Sequence, residues 1–453
     1  MRFSELEGLR VGVWGAGREI GSFARQLAAR APGARIAVAA FDDPPREEQA
    51  RLALHSPDVQ VVAAAGAAAA LSKCQLVVRS PGVSIHRPEL RELSAAGVPV
   101  TTATSLWLGE HGPEGVVGVS GTKGKSTTAA LIAHLARAAG ASVALAGNIG
   151  SPALDLLDAE PARLIVLELS SYQIADMQSG PGVALVTNLF KEHTNWHGSE
   201  ERYRAEKLRL LALPGVRVAV LNARDPVLAA LGTGAAQERL PAELQLLRYG
   251  SPEGWDAQAD GVRHAGRPAV GAAELPLPGE HNALNLCGAL TALEALGLHP
   301  PLPRALSCFR GLAHRLQTVA ERDGVVWVND SISTTPESTL AALASFPGRE
   351  LVLIAGGQDR GQDYAQLAAA LARPGASLIG VPSTGERLVA AARAAGVPAE
   401  RASEAGDLEE ATAIARSQAR SGAVVLLSPA APSFDHYRDY EERGERFSAL
   451  ARG

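Results

Sequence analysis

Cysteine is scarce in this chain: Cys74, Cys287 and Cys308 are its only three, and no CxxC pair occurs. An odd, scattered set excludes a disulfide framework and argues against a zinc site, and it fits a reducing cytoplasm. Like charges never run for five residues, and the formal net charge is only −5. A nucleic-acid partner held by bulk electrostatics is therefore not expected. No uncharged apolar run reaches the length of about 18 residues that a spanning helix needs, so membrane insertion is not expected either. The opening segment Met1–Gly17 has no basic stretch followed by an apolar one, as a secretory leader would. Internal repeats, heptads and low-complexity tracts are absent apart from an alanine bias. A soluble cytosolic protein is expected, and its 453 residues are too many for one core, so two to four domains are expected.

What is present is a repeated opening of strand, turn and helix. It occurs at Arg10–Trp14 before Gly15-Ala-Gly17, at Gly115–Val119 before Ser120-Gly121, and at Val325–Val328 before Asn329-Asp330-Ser331. Apolar runs at Val61–Val62, Leu76–Val78, Leu164–Leu167, Val183–Thr187, Val218–Leu221, Leu351–Ile354 and Val424–Leu427 alternate with helical Ala/Leu/Arg stretches. That alternation predicts an α/β protein with mainly parallel sheets covered by helices. Pro/Gly-rich stretches at Gly266–Gly279 and Leu298–Pro303 read as loops or a boundary. Three domains are placed at 1–104, 105–311 and 312–453.

The strongest local signal is Gly121-Thr122-Lys123-Gly124-Lys125-Ser126-Thr127 between an apolar strand and a helix. Glycines let backbone N–H groups approach phosphate oxygens, and the helix N-terminus adds partial positive charge. Lys125 reaches the β/γ-phosphates in such a loop, and the Ser126 hydroxyl can ligate Mg²⁺. The stretch departs from the strict G-x4-GK[ST] spacing, since position 119 is valine. Gly15-x-Gly17-x3-Gly21 is a weaker signal, because the dinucleotide fingerprint is GxGxxG; a tight turn without a ligand is the competing reading. Asp42 or Asp43, ending the next strand, sits where an acid would meet a ribose or base. Glu168 closes the apolar strand Leu164–Leu167, and an acid there, downstream of a P-loop, can hold Mg²⁺. His193 follows a third strand, as a ligand or as a solvated histidine. On its own, Lys207 reads as one solvated charge on an amphipathic helix. Arg315 and Asp330 stand either side of a short β-like pair, where an arginine can neutralise a transferred phosphoryl group and an aspartate can hold a ribose.

Taken in order, GTKGKST, GNIG (Gly147–Gly150), ELSSYQ (Glu168–Gln173), TN…EH (Thr187–His193), YRAEKLR, GEHN (Gly279–Asn282), AHR, WVNDS and LLSPAAPSFD…RG resemble the Mur ligases of peptidoglycan synthesis. The resemblance covers nearly the whole chain and is closest to the glutamate-adding branch. It implies a Rossmann-like N-terminal domain that holds UDP, a central P-loop ATPase domain, and a C-terminal Rossmann-like domain that brings the amino acid. The implied substrates are UDP-N-acetylmuramoyl-L-alanine and glutamate, with ATP and two Mg²⁺ ions, in a monomer. Gly121, Thr122, Lys123, Gly124, Lys125, Ser126 and Thr127 would bind ATP, completed by Asn282, Arg315 and Asp330. Ser126, Glu168 and His193 would serve the metals. Lys207 falls where the family carries a carbamylated lysine, which replaces the solvated reading: CO₂ taken up by a neutral amine turns a cation into an anion that can bind Mg²⁺. Lys125, His193, Lys207 and Arg315 would form the catalytic set. Gly15, Asp42, Ser80 and Gly82 would hold the uridine diphosphate, and Asn148 and Ser170 the muramoyl–alanine part. Thr334, Arg360, Ser433 and Phe434 would line the amino-acid pocket.

Two positions depart from the pattern of the D-glutamate-adding enzymes, and a variant branch that adds L-glutamate resembles what stands here. Ile332 stands where a lysine usually follows Asn329-Asp330-Ser331, and Arg360 stands for another lysine. An isoleucine cannot pair with a carboxylate, and the arginine fork has a different reach. D-Glutamate is expected ahead of L-glutamate on family frequency alone. Folylpolyglutamate synthase shares the ligase core but lacks an N-terminal UDP-binding domain, so the segments before residue 105 disfavour it. A GTPase-type switch would need an NKxD signature, which is missing. A dehydrogenase is disfavoured by the P-loop.

Overall fold

The structure is a computed structural model and describes residues 1–190, 194–232, 240–277 and 279–453. It falls into two compact units, Met1–Phe309 and Arg310–Gly453. The first unit holds two parallel sheets. One has β1 (Arg10–Trp14), β2 (Arg35–Phe41), β3 (Gln60–Ala63), β4 (Leu76–Arg79) and β5 (Val100–Thr101) in the order β3-β2-β1-β4-β5. The other has β6 (Val116–Ser120), β7 (Val143–Gly147), β8 (Leu164–Glu168), β9 (Val183–Val186), β10 (Val218–Asn222) and β11 (Gln245–Tyr249) in the order β11-β10-β9-β6-β8-β7. In each sheet the strand carrying a glycine-rich turn lies inside the sheet, where the strand order changes direction. In open α/β sheets ligands bind at the carboxyl ends of strands at such a point.

The strand sequences explain this layout. Val11, Val13, Val117, Val119, Leu167, Leu185 and Val220 are all fully shielded from solvent, as expected of strands covered by helices on both faces. One apolar cluster runs without a break from Phe3, Phe23 and Trp107 to Leu154, Leu167 and Leu221, so the two sheets of the first unit share a core. The Gly266–Gly279 stretch departs from the loop reading. Arg267–Gly271 is β14, and with β12 (Trp255–Gln258) and β13 (Gly261–His264) it forms a three-stranded antiparallel sheet. Leu302–Ser307 is likewise helical, with its prolines at the first turn, where no N–H is required,.

In the second unit β15 (Gln317–Arg322) and β16 (Val325–Asn329) form the hairpin foreseen around the β-like pair. β17 (Leu351–Ala355), β18 (Ala376–Gly380), β19 (Ala402–Glu404) and β20 (Val424–Leu427) complete a sheet ordered β15-β16-β20-β17-β18-β19, parallel apart from that hairpin. Separate apolar clusters cover its two faces. Among the described residues no helix is long and apolar enough to cross a membrane.

A buried ion pair joins the two sheets of the first unit. Arg79, at the end of β4 and with no solvent exposure, pairs with Asp176 at 2.7 Å and donates to the carbonyls of Tyr172 (2.7 Å) and Val83 (3.0 Å). Burial pushes the Asp176 carboxyl up, against the pull of Arg79. Removing one partner of such a pair strands the other charge. Arg79→Met should therefore cost about 3 kcal/mol in urea unfolding at pH 7. Without the arginine, Asp176 favours its protonated form in the folded state. Its stabilising influence is then present below the ordinary Asp value of about 3.9 and lost as the pH rises. The deficit should thus be smaller near pH 4 than at pH 7; an equal deficit at both would contradict this account.

Candidate functional site

The loop after β6 adopts its shape through two glycines. Gly121 has φ +135° and Gly124 φ +81°, conformations that L side chains rarely adopt,. A Cβ on Gly121 would also lie 1.9 Å from Thr187 Oγ1, and one on Gly124 2.4 Å from Asn285 Oδ1. The 14-residue helix Lys125–Ala138 starts at once, so its free N–H groups and dipole face the loop,. Lys125 Nζ donates to Thr122 O at 2.8 Å, and Ser126 is buried behind it.

The loop is pinned from the next strand and from a helix. Asn188 Oδ1 accepts from Lys123 N at 2.8 Å, and Thr187 Oγ1 donates to Lys123 O at 2.6 Å. The helix Glu200–Leu208 sends Tyr203 and Lys207 inward. Tyr203 OH lies 2.7 Å from Thr122 Oγ1, and Lys207 Nζ donates to Gly121 O at 2.6 Å. Lys207 is only 2% exposed, so the solvated reading fails. Asn282 joins the same neighbourhood through Asn285, whose Nδ2 donates to Asn282 Oδ1 at 3.3 Å and whose Oδ1 accepts from Thr128 Oγ1 at 3.3 Å.

Glu168 ends β8 in register with Val119 of β6, which places its carboxylate beside the loop. It is 1% exposed. Oε1 accepts from Asn148 Nδ2 at 2.7 Å, while Oε2 is buried without a hydrogen-bond partner among the described residues. A buried carboxylate oxygen with nothing facing it is costly. Beside a P-loop serine hydroxyl it is the hard oxygen donor that Mg²⁺ prefers, so the residues present fit the metal. Asn148 is thereby tied to Glu168. His193, foreseen as a further ligand, lies outside the described residues.

The first sheet brings its foreseen residues together at the carboxyl ends of β1 and β4. Gly15 and Gly17 approach Ser80 so closely that added Cβ atoms would lie 2.7 Å from Ser80 Cβ and 2.9 Å from Ser80 Oγ. Asp42 pairs with Arg87 at 2.6 Å, and the Arg87 guanidinium stacks 4.9 Å from the Trp14 ring centre. Gly82 O accepts from Trp196 Nε1 at 3.1 Å. Ser170 caps the short helix Ser171–Ile174, accepting from Gln173 N at 3.2 Å.

In the second unit Asp330 is 2% exposed, accepting from Leu316 N (3.1 Å) and Ser428 Oγ (2.8 Å). Burial pushes its carboxyl up. Both oxygens therefore brace the end of β16, one residue from Arg315 at the Leu316 N–H. Arg360 and Phe434 face each other, guanidinium to ring centre 5.8 Å, and Gln358 N donates to Pro432 O at 2.8 Å beside the buried Ser433. Thr334 follows Ser333, whose O accepts from Ala430 N at 3.0 Å.

Several residues had not been foreseen. His197, fully buried, contacts Glu206 through Nδ1 and Ser171 Oγ through Nε2 at 2.9 Å, and His86 Nε2 lies 2.7 Å from the other Glu206 oxygen. The i, i+3, i+4 spacing of Tyr203, Glu206 and Lys207 was the available signal that they share one helix face.

A strand-borne P-loop with a buried acid one strand away is the architecture of a P-loop nucleotide-binding protein. Residues 119–293 match the Mur ligase middle domain, and 314–431 match the Mur ligase, glutamate ligase domain. The whole chain aligns at 44% identity with 97% of a Xanthomonas euvesicatoria protein named UDP-N-acetylmuramoyl-L-alanine–L-glutamate ligase. It aligns at 42% identity with 99% of a Salinispora tropica protein of the same name. A solved UDP-N-acetylmuramate-alanine ligase, MurC from Thermotoga maritima, matches 98% of this chain and 99% of its own, with a TM-score of 0.58 at 18% identity, a likeness of fold. The chain belongs to the Mur ligase family and is an ATP-dependent, amide-bond-forming ligase; the family works with ATP and Mg²⁺.

Lys125→Ala should lower ADP release by about 10²–10³, the loss usual when one preorganised charge-stabilising group is deleted, with the thermal midpoint unchanged. Glu168→Gln keeps the shape and removes the charge. Its activity should need more Mg²⁺ for half-saturation; an unaltered Mg²⁺ titration would remove Glu168 from the metal site.

Proposed function

We propose that the chain adds L-glutamate to UDP-N-acetylmuramoyl-L-alanine, forming the amide through an acyl phosphate. The observation that carries this is the full-length similarity, at 44% and 42% identity, to two proteins named for that reaction. Ile332 and Arg360, which stand where lysines were expected, support the shift from the D-isomer: they present the incoming carboxylates with one positive charge fewer and a guanidinium fork in place of the remaining ammonium,. The D-isomer, favoured from family frequency alone, becomes the second reading.

In this scheme the carboxylate of the muramoyl-bound alanine attacks the γ-phosphorus of ATP, and ADP leaves. Lys125 and the loop amides hold the β/γ-phosphates, and Arg315 offsets charge on the transferred group. Mg²⁺, held by Ser126 and Glu168 with His193, supplies Lewis-acid neutralisation of the phosphate oxygens. Asn148 orients Glu168, leaving its second oxygen for the ion. The neutral amine of glutamate then attacks the acyl carbon, phosphate leaves, and the amine gives up a proton. Gly15, Asp42, Ser80 and Gly82 hold the uridine diphosphate end and Ser170 the sugar–peptide end. Asn282 and Asp330 complete the ATP site, while Thr334, Arg360, Ser433 and Phe434 receive glutamate. The labour divides over segments 1–104, 105–311 and 312–453.

Lys207 acts as a carbamate in this reading, which its burial against the loop supports. Lys207→Ala should lose activity and regain part of it with acetate or propionate in the buffer. Rescue by neither acid would remove the carbamate from the scheme. For the amino acid, ADP release with UDP-N-acetylmuramoyl-L-alanine should be supported by L-glutamate at least about tenfold better, in kcat/KM, than by D-glutamate, a discrimination of about 1.4 kcal/mol. Preference for D-glutamate would restore the second reading, and release independent of the muramoyl substrate would overturn both.

A further inference from the structure

His86, His197 and Glu206 offer three ligand atoms that all lie within 4.8 Å of one another, and none of the chemistry assigned above uses them. They come from three elements of the first unit. His86 stands on the turn between β4 and the helix Pro88–Ala95, His197 ends the helix Thr194–His197, and Glu206 lies on the helix Glu200–Leu208. The carboxylate divides its oxygens: Oε1 lies 2.7 Å from His86 Nε2, and Oε2 meets His197 Nδ1. Side-chain exposure is 0% for His197, 12% for Glu206 and 26% for His86, so water reaches the group from the His86 side.

Three features suit this group to a metal ion. The first is the donor set. Two imidazoles and a carboxylate are the nitrogen and oxygen ligands of open zinc centres, which keep a fourth position for water. A tetrahedral Zn²⁺ with bonds of about 2.1 Å holds its ligand atoms about 3.4 Å apart, so shifts of the order of 1 Å convert the present contacts into that arrangement. The second is the outer nitrogen of His197, which already has a partner in Ser171 Oγ at 2.9 Å. A hydroxyl can donate or accept, so it serves the ring whether Nδ1 carries a proton or a metal. Partners of this kind orient ligating histidines. The third is rigidity. Trp196 packs edge-on against His86, 5.7 Å between ring centres, and tilted against His197 at 4.5 Å; Tyr203 stands edge-on to His197 at 5.2 Å. Arg91 Nη2 donates to His86 O at 2.7 Å, and His86 N donates to Ser84 Oγ at 3.3 Å.

The group is also chemically distinct from the phosphate site. Ser126 and Glu168 offer hard oxygens, which suit Mg²⁺, whereas imidazole favours zinc and its transition-metal neighbours. Glu206 precedes Lys207 in the chain, but its carboxylate turns to the two histidines while Lys207 Nζ reaches Gly121 O.

We propose that His86, His197 and Glu206 bind a divalent transition-metal ion, Zn²⁺ foremost, at a site separate from the magnesium site of the P-loop. The ion ties the turn that follows Ser80 and Gly82 to the helix that carries Lys207, and keeps one coordination position open toward solvent. The test uses Co²⁺ as a coloured stand-in, added to the metal-stripped full chain with saturating Mg²⁺ and a non-hydrolysable ATP analogue filling the P-loop. The parent should show the intense visible absorption of four- or five-coordinate cobalt, saturating at one equivalent and lost on adding one equivalent of Zn²⁺. His86→Gln and Glu206→Gln each keep a hydrogen-bonding side chain and remove a strong ligand. Each should weaken Zn²⁺ about tenfold or more, since partners one shell further out are already worth that much. Zn²⁺ should also raise the melting temperature of the parent and raise that of each variant less; comparing with and without zinc inside each variant cancels any change in the stability of the metal-free fold. Glu168→Gln, at the magnesium site, should keep the zinc affinity within about twofold. Only the faint absorption of octahedral cobalt in the parent, equal zinc affinity in the parent and both ligand variants, or loss of zinc binding in Glu168→Gln would each overturn the proposal.

Discussion

The register of β6 against β8 is the constraint on which the phosphate site rests. Pairing Val119 with Glu168 puts a turn of backbone N–H groups and a carboxylate at the same edge of the central sheet. The first suits phosphate oxygens, and the second is the kind of hard donor a magnesium ion takes. Neither group could sit there alone at low cost. The surrounding side chains serve that pairing: Asn148 holds one oxygen of Glu168, Thr187 and Asn188 hold the loop from β9, and Tyr203 and Lys207 hold it from the helix Glu200–Leu208.

The first sheet is bound to this machinery by more than chain connection. Arg79 spends its hydrogen-bonding capacity on Asp176 and on backbone carbonyls from both sheets, and a single apolar cluster lies between them. Arg18, at the start of the helix after Gly17, donates to Gly150 O at 3.0 Å and to Asn148 O at 3.3 Å. The helix that follows the turn beside Ser80 is thus joined by one hydrogen bond to the asparagine that orients Glu168. Dense packing of this kind transmits displacement rather than absorbing it.

Much of this was legible in the sequence, for a physical reason. Parallel strands buried on both faces must be apolar throughout, so Val183–Val186 and Val424–Leu427 stand out, and an acid closing such a run, as Glu168 does, carries its own explanation. Lys207 was not legible from its own surroundings, because helical periodicity alone allots a charge in YRAEKLR to solvent; its burial depends on a P-loop 86 residues away. The antiparallel sheet at 255–271 was hidden by its glycines and proline, which also make turns. In the His86–Glu206–His197 group, His86 lies 120 residues from Glu206, so no local pattern announces its part.

The second unit carries apolar clusters of its own on both faces of its sheet, and the residues gathered around Arg360 and Phe434 belong wholly to it. The supports of the phosphate loop, by contrast, are drawn from the first unit. If the Arg360–Phe434 group receives the amino acid, as proposed, a change of building block there leaves the supports of the phosphate loop untouched. In the proposed scheme, drift in Ile332 or Arg360 can explore new side-chain chemistry while those supports are inherited intact, whereas an exchange of all residues after Phe309 would carry Arg315 and Asp330 with it.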